Sequence, residues 1–214
     1  MPNDPSIQPD VTPNLVLNAY ARGIFPMAES RGDDGLFWLD PELRGIIPLD
    51  GFHISRSLRK TLLREPFRVT VDKDFAGVVE GCADRQETWI NGPIFGIYMD
   101  LFRAGHAHSV EIWEDDVLVG GVYGVTLKRA YFGESMFSRR TDASKIALAY
   151  LVSRLRAGGF VLFDTQFPSP HLASLGGIEI TRQQYKSKLK DALEGEANFL
   201  RQPLSVSGRQ VCSE

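Results

Sequence analysis

Cysteine is nearly absent from this chain of 214 residues: Cys82 and Cys212 lie far apart, outside any C-x-x-C pair or zinc-spaced cluster. That excludes a disulfide scaffold and a zinc finger or ribbon, and it points to a reducing compartment. No stretch approaches the ~18 to 20 consecutive apolar residues that a bilayer crossing needs. The first ten residues, MPNDPSIQPD, have neither a basic start nor an apolar centre, so no secretory signal is expected. The expected setting is cytoplasmic, with no membrane partner. A Walker-A loop, a G-x-G-x-x-G fingerprint and a G-x-S-x-G elbow are all missing, which argues against nucleotide-cradling and triad-hydrolase chemistry. Positive charge is in deficit, 24 Lys+Arg against 27 Asp+Glu for a net −3. No global field therefore draws the protein to nucleic acid, and a polyanion must be met by a local patch.

What is present is ordinary globular material. Hydrophobic residues make up 43% and charged residues 24%, and the 20 Gly and 12 Pro follow no repeat. This length suits one sizeable domain, or one with a small lobe, and its core needs no staples. In TPNLVLNAYARG, Thr12 suits a cap, Pro13 the first helical position and Gly23 the stop. IFPMAES and LFWLDPELRGIIPLDG suggest packed loops and short strands. Ser55 caps an expected helix that ends before Pro66. Residues 1–65 are thus read as a small N-terminal lobe, 66–200 as the main domain and 201–214 as a C-terminal tail.

Beyond residue 66 the pattern alternates. FRVTV (67–71) reads as a strand, and 74–84 and 93–105 as helices. Residues 108–114 and 117–127 read as a hairpin, followed by a third strand over 130–137. The stripe Ile146, Ala147, Tyr150, Leu151, Leu155 predicts a helix over 142–159, capped by Asp142 and stopped by Gly158-Gly159. FVLFD (160–164) is a continuous apolar run, as a buried parallel strand should be. A short helix from Pro170, a strand near 178–180 and a helix from Arg182 complete the order. A mixed α/β sheet with an antiparallel meander feeding a crossover helix follows, the arrangement of GNAT-like acyltransferase folds.

Several residues could carry chemistry. Glu134, in GESMFS, sits on an expected interior strand; there a carboxylate must meet a cation or hydrogen-bond donors, and an ion pair with a nearby Arg or Lys is the plain structural reading. Asp164 and Gln166 end the most apolar strand and share one face, where α/β proteins build sites, although Asp164 could also cap the next segment. The histidines at 53, 106, 108 and 171 lack ligand spacing, so no metal is expected. Segments 53–68 and 182–190 are basic against an acidic mean. Such helix faces are either solvated or form a phosphate track, with Arg56, Arg59 and Lys60 the candidates in the first. Trp38 and Trp89 fall in expected loops, where large rings mark stacking or apolar pockets. Trp113 reads as core.

GIFPMAE, WLDPELRGIIPL, HISRSLRK, CADRQETWI, GHAHSVEIW, LVGGVYGV, GESMFS, ASK, GF-x-L-x-D-x-Q and HLASLGG occur in this order. From about residue 13 to about 190 the chain resembles the leucyl/phenylalanyl-tRNA–protein transferase family. The resemblance implies a GNAT-like fold with no metal and no organic cofactor. It implies transfer of Leu, Phe or Met from aminoacyl-tRNA to an N-terminal Arg or Lys, marking the acceptor for N-degron-dependent degradation. It also implies catalytic roles for Asp164 and Gln166. Glu134 would hold the donor ammonium, and Trp89, Ser135 and Trp38 would stand near the tRNA 3′ end. The chain departs from the usual pattern in carrying Trp38-Leu39 for a tryptophan pair and Thr165 as the middle residue of D-x-Q. A related transferase with another donor or acceptor, such as acidic N-termini, is the alternative. An acyl-CoA-dependent acetyltransferase is disfavoured, because SRRTDASK before the crossover helix has no glycine.

Overall fold

The computed structural model describes residues 11–32 and 35–213. The N-terminal segment expected to lack a secretory signal lies outside these residues. Helix α1 (Pro13–Ala21) is capped by the Thr12 hydroxyl, which accepts from the Leu15 N–H. Strands β1 (Phe25–Met27) and β2 (Phe37–Leu39) form a two-stranded ribbon, and β3 (Leu43–Ile46) leaves it for the main sheet. Helix α2 (Arg56–Arg64) begins at Ser55 and stops at Glu65, whose φ of 48° breaks the helix. Strand β4 (Arg68–Val71) and helices α3 (Phe75–Ala83) and α4 (Gly92–Arg103) follow.

Then comes the meander β5 (Ala107–Glu114), β6 (Val117–Leu127) and β7 (Ala130–Ser138), with the crossover helix α5 (Ala143–Gly158) leading to β8 (Leu162–Gln166). The chain closes with α6 (Pro170–Ala173), β9 (Ile178–Thr181), α7 (Arg182–Leu193) and α8 (Gly208–Val211). The seven-stranded sheet has the order β4-β5-β6-β7-β8-β3-β9. Of its pairings only β7–β8 is parallel, because only α5 returns the chain across the sheet.

Apolar side chains fill both faces. On one, Val16 and Tyr20 of α1, Phe75 and Val78 of α3, Ile94 and Tyr98 of α4 and Tyr185 and Leu189 of α7 pack together. On the other, α5 supplies Ile146, Leu151 and Leu155 against Leu58 and Leu62 of α2 and Val211 of α8. Each such side chain contributes about 2 kcal/mol by leaving water. The segment expected as a tail therefore docks α8 on α2, where a Cβ on Gly208 would overlap the Leu62 carbonyl.

Three expectations change. Asp142 does not cap α5: it sits in the left-handed region at φ 65° with no bond to a helix backbone N–H, and its Oδ1 accepts instead from the Lys145 ammonium at 2.9 Å. Ser138 does that work, its hydroxyl accepting from the Ser144 N–H at 3.1 Å. Trp38 lies on a strand, opposite Pro26, rather than in a loop. The apolar run at 160–164 begins pairing only at Leu162, so the strand extends to Gln166.

Candidate active site

β7 and β8 pair over three rungs, Ala130–Leu162, Tyr131–Phe163 and Phe132–Asp164. Beyond the last rung β7 stays with β6 and β8 stays with β3, so the two parallel strands part. A cavity of about 230 Å3 opens in the gap. Val122, Leu148, Phe163 and Leu172 line it with apolar surface, while Glu134, Thr165 and Trp89 bring polar and aromatic groups. A dry cavity of about 150 Å3 already takes benzene, so this one has room for a group of that size. Carboxyl ends of parallel strands are where such sheets bind ligands.

Glu134 enters this gap through a β-bulge. Gly124 pairs with Gly133 and Tyr123 with Ser135, which leaves Glu134 unmatched and turned out of the ladder. Gly124 makes the crossing possible, since a Cβ there would overlap the Phe132 carbonyl oxygen. The carboxylate is held by two tyrosines on different helices. Tyr20 donates to Oε1 and Tyr98 to Oε2, each at 2.6 Å, and the two hydroxyls lie 3.2 Å apart. Burial pushes the carboxyl up to about 7, against the downward pull of both tyrosine bonds. No ion pair to Glu134 occurs among the described residues; of the expected partners, hydrogen-bond donors rather than an Arg or Lys are what it meets. A carboxylate has about four lone-pair sites, and the two tyrosines use two of them.

Asp164 is fully buried and occupied on every side. Arg44 Nε donates to Oδ1 at 2.9 Å and Nη2 to Oδ2 at 2.7 Å; Tyr185 donates to Oδ2 at 2.7 Å. The fourth donor is the Gln166 main-chain N–H, at 2.8 Å from Oδ1. Four donors use the carboxylate's capacity, so it fixes geometry and has no lone pair left to take a proton. Arg44 is itself 1% exposed and lies between the Phe25 and Tyr185 rings, with Nη1 on the Gly23 carbonyl. Such a bidentate, stacked pair is what a buried charge requires.

The bond from Asp164 therefore reaches the backbone of Gln166 rather than its amide. It holds Gln166 at φ 56°, an unusual conformation for a residue with a side chain. Gln166 is 7% exposed, and its Nε2 is buried without a partner. A buried amide donor without a partner is uncommon in a folded protein, and Gln166 is not itself among the residues lining the cavity. Gly45, opposite Gln166 on β3, lets residues 167–168 fold close: a Cβ there would stand 2.9 Å from the Phe167 backbone.

The remaining expected residues divide. Trp89 stands at the cavity edge-on to Tyr98, with 6.3 Å between ring centres, and Ser135 lines the cavity too. Trp38, 37% exposed on the ribbon, is not among the lining residues. Arg56, Arg59 and Lys60 are exposed on α2, which packs on the opposite face from Tyr20 and Tyr98, and Arg59 donates to the Cys212 carbonyl at 3.0 Å. In the second basic segment, Arg182 and Lys186 both pair with Asp40 and are partly neutralised.

Sequence reasoning passed over Arg44, Tyr20, Tyr98 and Tyr185. Arg44 had a signal, as a lone cation amid the apolar strand LRGII; the tyrosines looked like helix-face core. Cys82 and Cys212 are both free. Among the described residues no group of three or more His, Cys, Asp or Glu could hold a metal ion, and no helix is long and apolar enough to cross a membrane.

Comparison with known proteins gives a consistent picture. A family model described as leucyl/phenylalanyl-tRNA protein transferase matches residues 46–190, and the model of that protein's N-terminal domain matches 9–42. A leucyl/phenylalanyl-tRNA–protein transferase of Cereibacter sphaeroides is 66% identical over 191 residues, covering 89% of each chain. One from a Ruegeria species is 64% identical over 187 residues, 87% of this chain and 89% of that one. One from Roseobacter denitrificans is 61% identical over 194 residues, 91% and 92%. Among solved structures, the crystal structure of FemX superposes with a TM-score of 0.50 at 13% identity, covering 85% of this chain and 73% of that one. A likeness at that identity speaks for the fold alone, which is the GNAT-like acyltransferase fold.

Proposed function

The chain belongs to the leucyl/phenylalanyl-tRNA–protein transferase family, a family of aminoacyltransferases, and from that premise we propose how its cleft works. The donor is Leu, Phe or Met esterified to the 3′ end of tRNA, and the acceptor is a protein whose first residue is Arg or Lys. The product carries one more residue at its N-terminus and so becomes a substrate for N-degron-dependent degradation. The single observation that carries this reading is Glu134. It is a carboxylate aimed by a bulge into an apolar cavity, held by two tyrosines and left open to one more cation.

The donor's side chain fills the apolar part of the cavity, and its α-ammonium meets Glu134. Charged side chains are rejected there because they lose water and gain no partner. Trp89 and Ser135 flank the ribose and adenine. The acceptor's α-nitrogen then attacks the ester carbonyl carbon; the C–N bond forms and the C–O bond to the ribose breaks. The amine's proton goes, directly or through a water, to the departing ribose oxygen. No covalent enzyme intermediate is needed, because the ester is already activated and placement supplies much of the rate.

Gln166 is the catalytic residue in this scheme. Its amide fixes the attacking nitrogen through the side-chain oxygen and offers Nε2 to the charge developing on the carbonyl oxygen. Asp164 acts through Gln166, and Arg44 through Asp164; both are positioning residues. Arg56, Arg59 and Lys60 form a phosphate-binding track for the tRNA body.

The test mixes the protein with charged tRNA pools and peptides that begin with Arg, Lys, Asp or Glu. Mass spectrometry of the extended peptides reads donor and acceptor together. Extension of the Arg and Lys peptides by a single leucyl, phenylalanyl or methionyl residue is the expected result. Extension of Asp or Glu peptides instead would replace the acceptor assignment.

A further inference from the structure

A second opening lies against the first. A crevice of about 400 Å3 is lined by Asp84, Arg85, Ser138, Arg139, Ser144 and His171 among others, and it shares Arg85 and Met136 with the aminoacyl cavity. Its charge balance is positive. Arg139 lies over the Phe137 ring and pairs with Asp84 at 3.0 Å, which cancels one cation. Arg85 donates to the Met136 carbonyl and has no carboxylate partner among the described ion pairs. Arg31, outside the lining, donates to the carbonyls of Ala83 and Arg85. His171 contributes a ring Nε2 that is buried without a hydrogen-bond partner. Guanidinium, hydroxyl and imidazole groups around one hollow are the donor set for a phosphate.

Chemistry fixes which phosphate would stand there. In an RNA donor the reacting ester and the first phosphodiester hang from the same ribose, the ester on its 3′ side and the phosphodiester on its 5′ carbon. A cavity that holds the aminoacyl end therefore has a phosphate beside it, within one sugar. The two openings share Arg85 and Met136 and so lie side by side. We propose that this crevice binds the phosphodiester linking the last two nucleotides of the donor RNA, with Arg85 and Arg139 as its ligands. The inference rests on the aminoacyl-tRNA reading above.

The experiment compares two minimal donors, a 3′-aminoacyl-adenosine without phosphate and an aminoacylated cytidylyl-adenosine dinucleotide with one. The wild-type protein is expected to show kcat/KM higher by about tenfold or more for the dinucleotide, the scale of a charge-assisted hydrogen bond. That gain should shrink as salt rises. Arg139→Gln lies outside the aminoacyl cavity; it should erase the gain and leave aminoacyl-adenosine transfer within about twofold. Asp84→Asn, which frees Arg139, should preserve or increase it. In parallel, uncharged cytidylyl-adenosine should inhibit transfer from intact charged tRNA about tenfold better than adenosine with cytidine, again only with Arg139 present.

Equal kcat/KM and equal inhibition with and without the phosphate would overturn the crevice assignment while leaving the transferase reading intact. So would an Arg139→Gln loss shared equally by both donors, or one confined to the KM of the acceptor peptide. Failure of the wild-type protein to use any charged tRNA would overturn the transferase reading itself, and the crevice assignment with it.

Discussion

Arg44 and Asp164 are separated by most of the chain, yet Nε and Nη2 of one meet both oxygens of the other at 2.9 and 2.7 Å in full burial. The pair joins β3 to β8, and through the Asp164–Gln166 bond it sets the one strained residue at the strand tip. Breaking a buried pair from one side costs more than the pair is worth, because the surviving charge is stranded. Asp164→Asn is therefore expected to lower stability by about 3 kcal/mol and to slow transfer at least ~10²-fold. Denaturant melts and single-turnover rates check the two halves. An unaltered midpoint would mean that the carboxylate is not what holds Arg44.

Glu134 trades stability for binding. Its carboxyl titrates at about 7 in the folded protein against 4.5 for the unfolded group. The folded state thus holds a proton that the unfolded chain has already released between those values. Stability from this group is accordingly greatest below about pH 4.5 and falls as pH rises to about 7. Glu134→Gln should raise the melting temperature at pH 8 and flatten this part of the pH dependence. The same change should weaken use of aminoacyl donors more than binding of uncharged tRNA. A variant less stable at pH 8 than the parent would contradict the burial argument.

Gln166→Glu keeps the length of the side chain and removes its donor. Expected is a loss in kcat of about 10²-fold or more with little change in the donor's KM, because the amide acts on charge that exists only in the transition state. A loss seen mainly in KM would move Gln166 from chemistry to binding.

Replacement of Arg56, Arg59 and Lys60 by Ala should weaken tRNA binding and flatten its salt dependence, by up to about 0.9 in slope for each phosphate no longer neutralised. Filter binding over a salt series measures this. An unchanged slope would return α2 to an ordinary solvated face.

Gly124→Ala tests the bulge. A methyl group cannot share space with the Phe132 carbonyl, so the β6–β7 crossing must shift and carry Glu134 away from its tyrosines. Loss of donor binding in a protein that still folds is expected, with near-normal tRNA affinity.

The meander, the crossover helix and the caps at Thr12 and Ser55 were readable because each follows from local spacing or from one hydroxyl near a helix start. Asp164, Gln166 and Glu134 were readable as polar residues on apolar strands. What stayed hidden depended on distant partners. Tyr20 and Tyr98 look like core residues until α1 and α4 are brought to the same bulge. Nothing adjacent in sequence tells that Asp164 faces Arg44, since the partner arrives from the far end of the chain. Asp142 misled for a physical reason: from the left-handed backbone at that position its carboxylate meets the Lys145 ammonium rather than a helix N–H, and Ser138 supplies the cap from the preceding strand.

The strand order carries a consequence for how the protein comes into being. β5, β6 and β7 are joined by short turns, and each of their hairpins can close as soon as it is made, with β4 added across α3 and α4. β3 is different: synthesised early, it must wait for β8 and β9, between which it is finally inserted. Until then Arg44 has no counter-charge and the tip bearing Gln166 has nothing to lean on. A nascent chain that ends before β8 therefore leaves Arg44 unpaired, whatever its meander has achieved, and the Arg44–Asp164 join forms only once the N-terminal strand is captured.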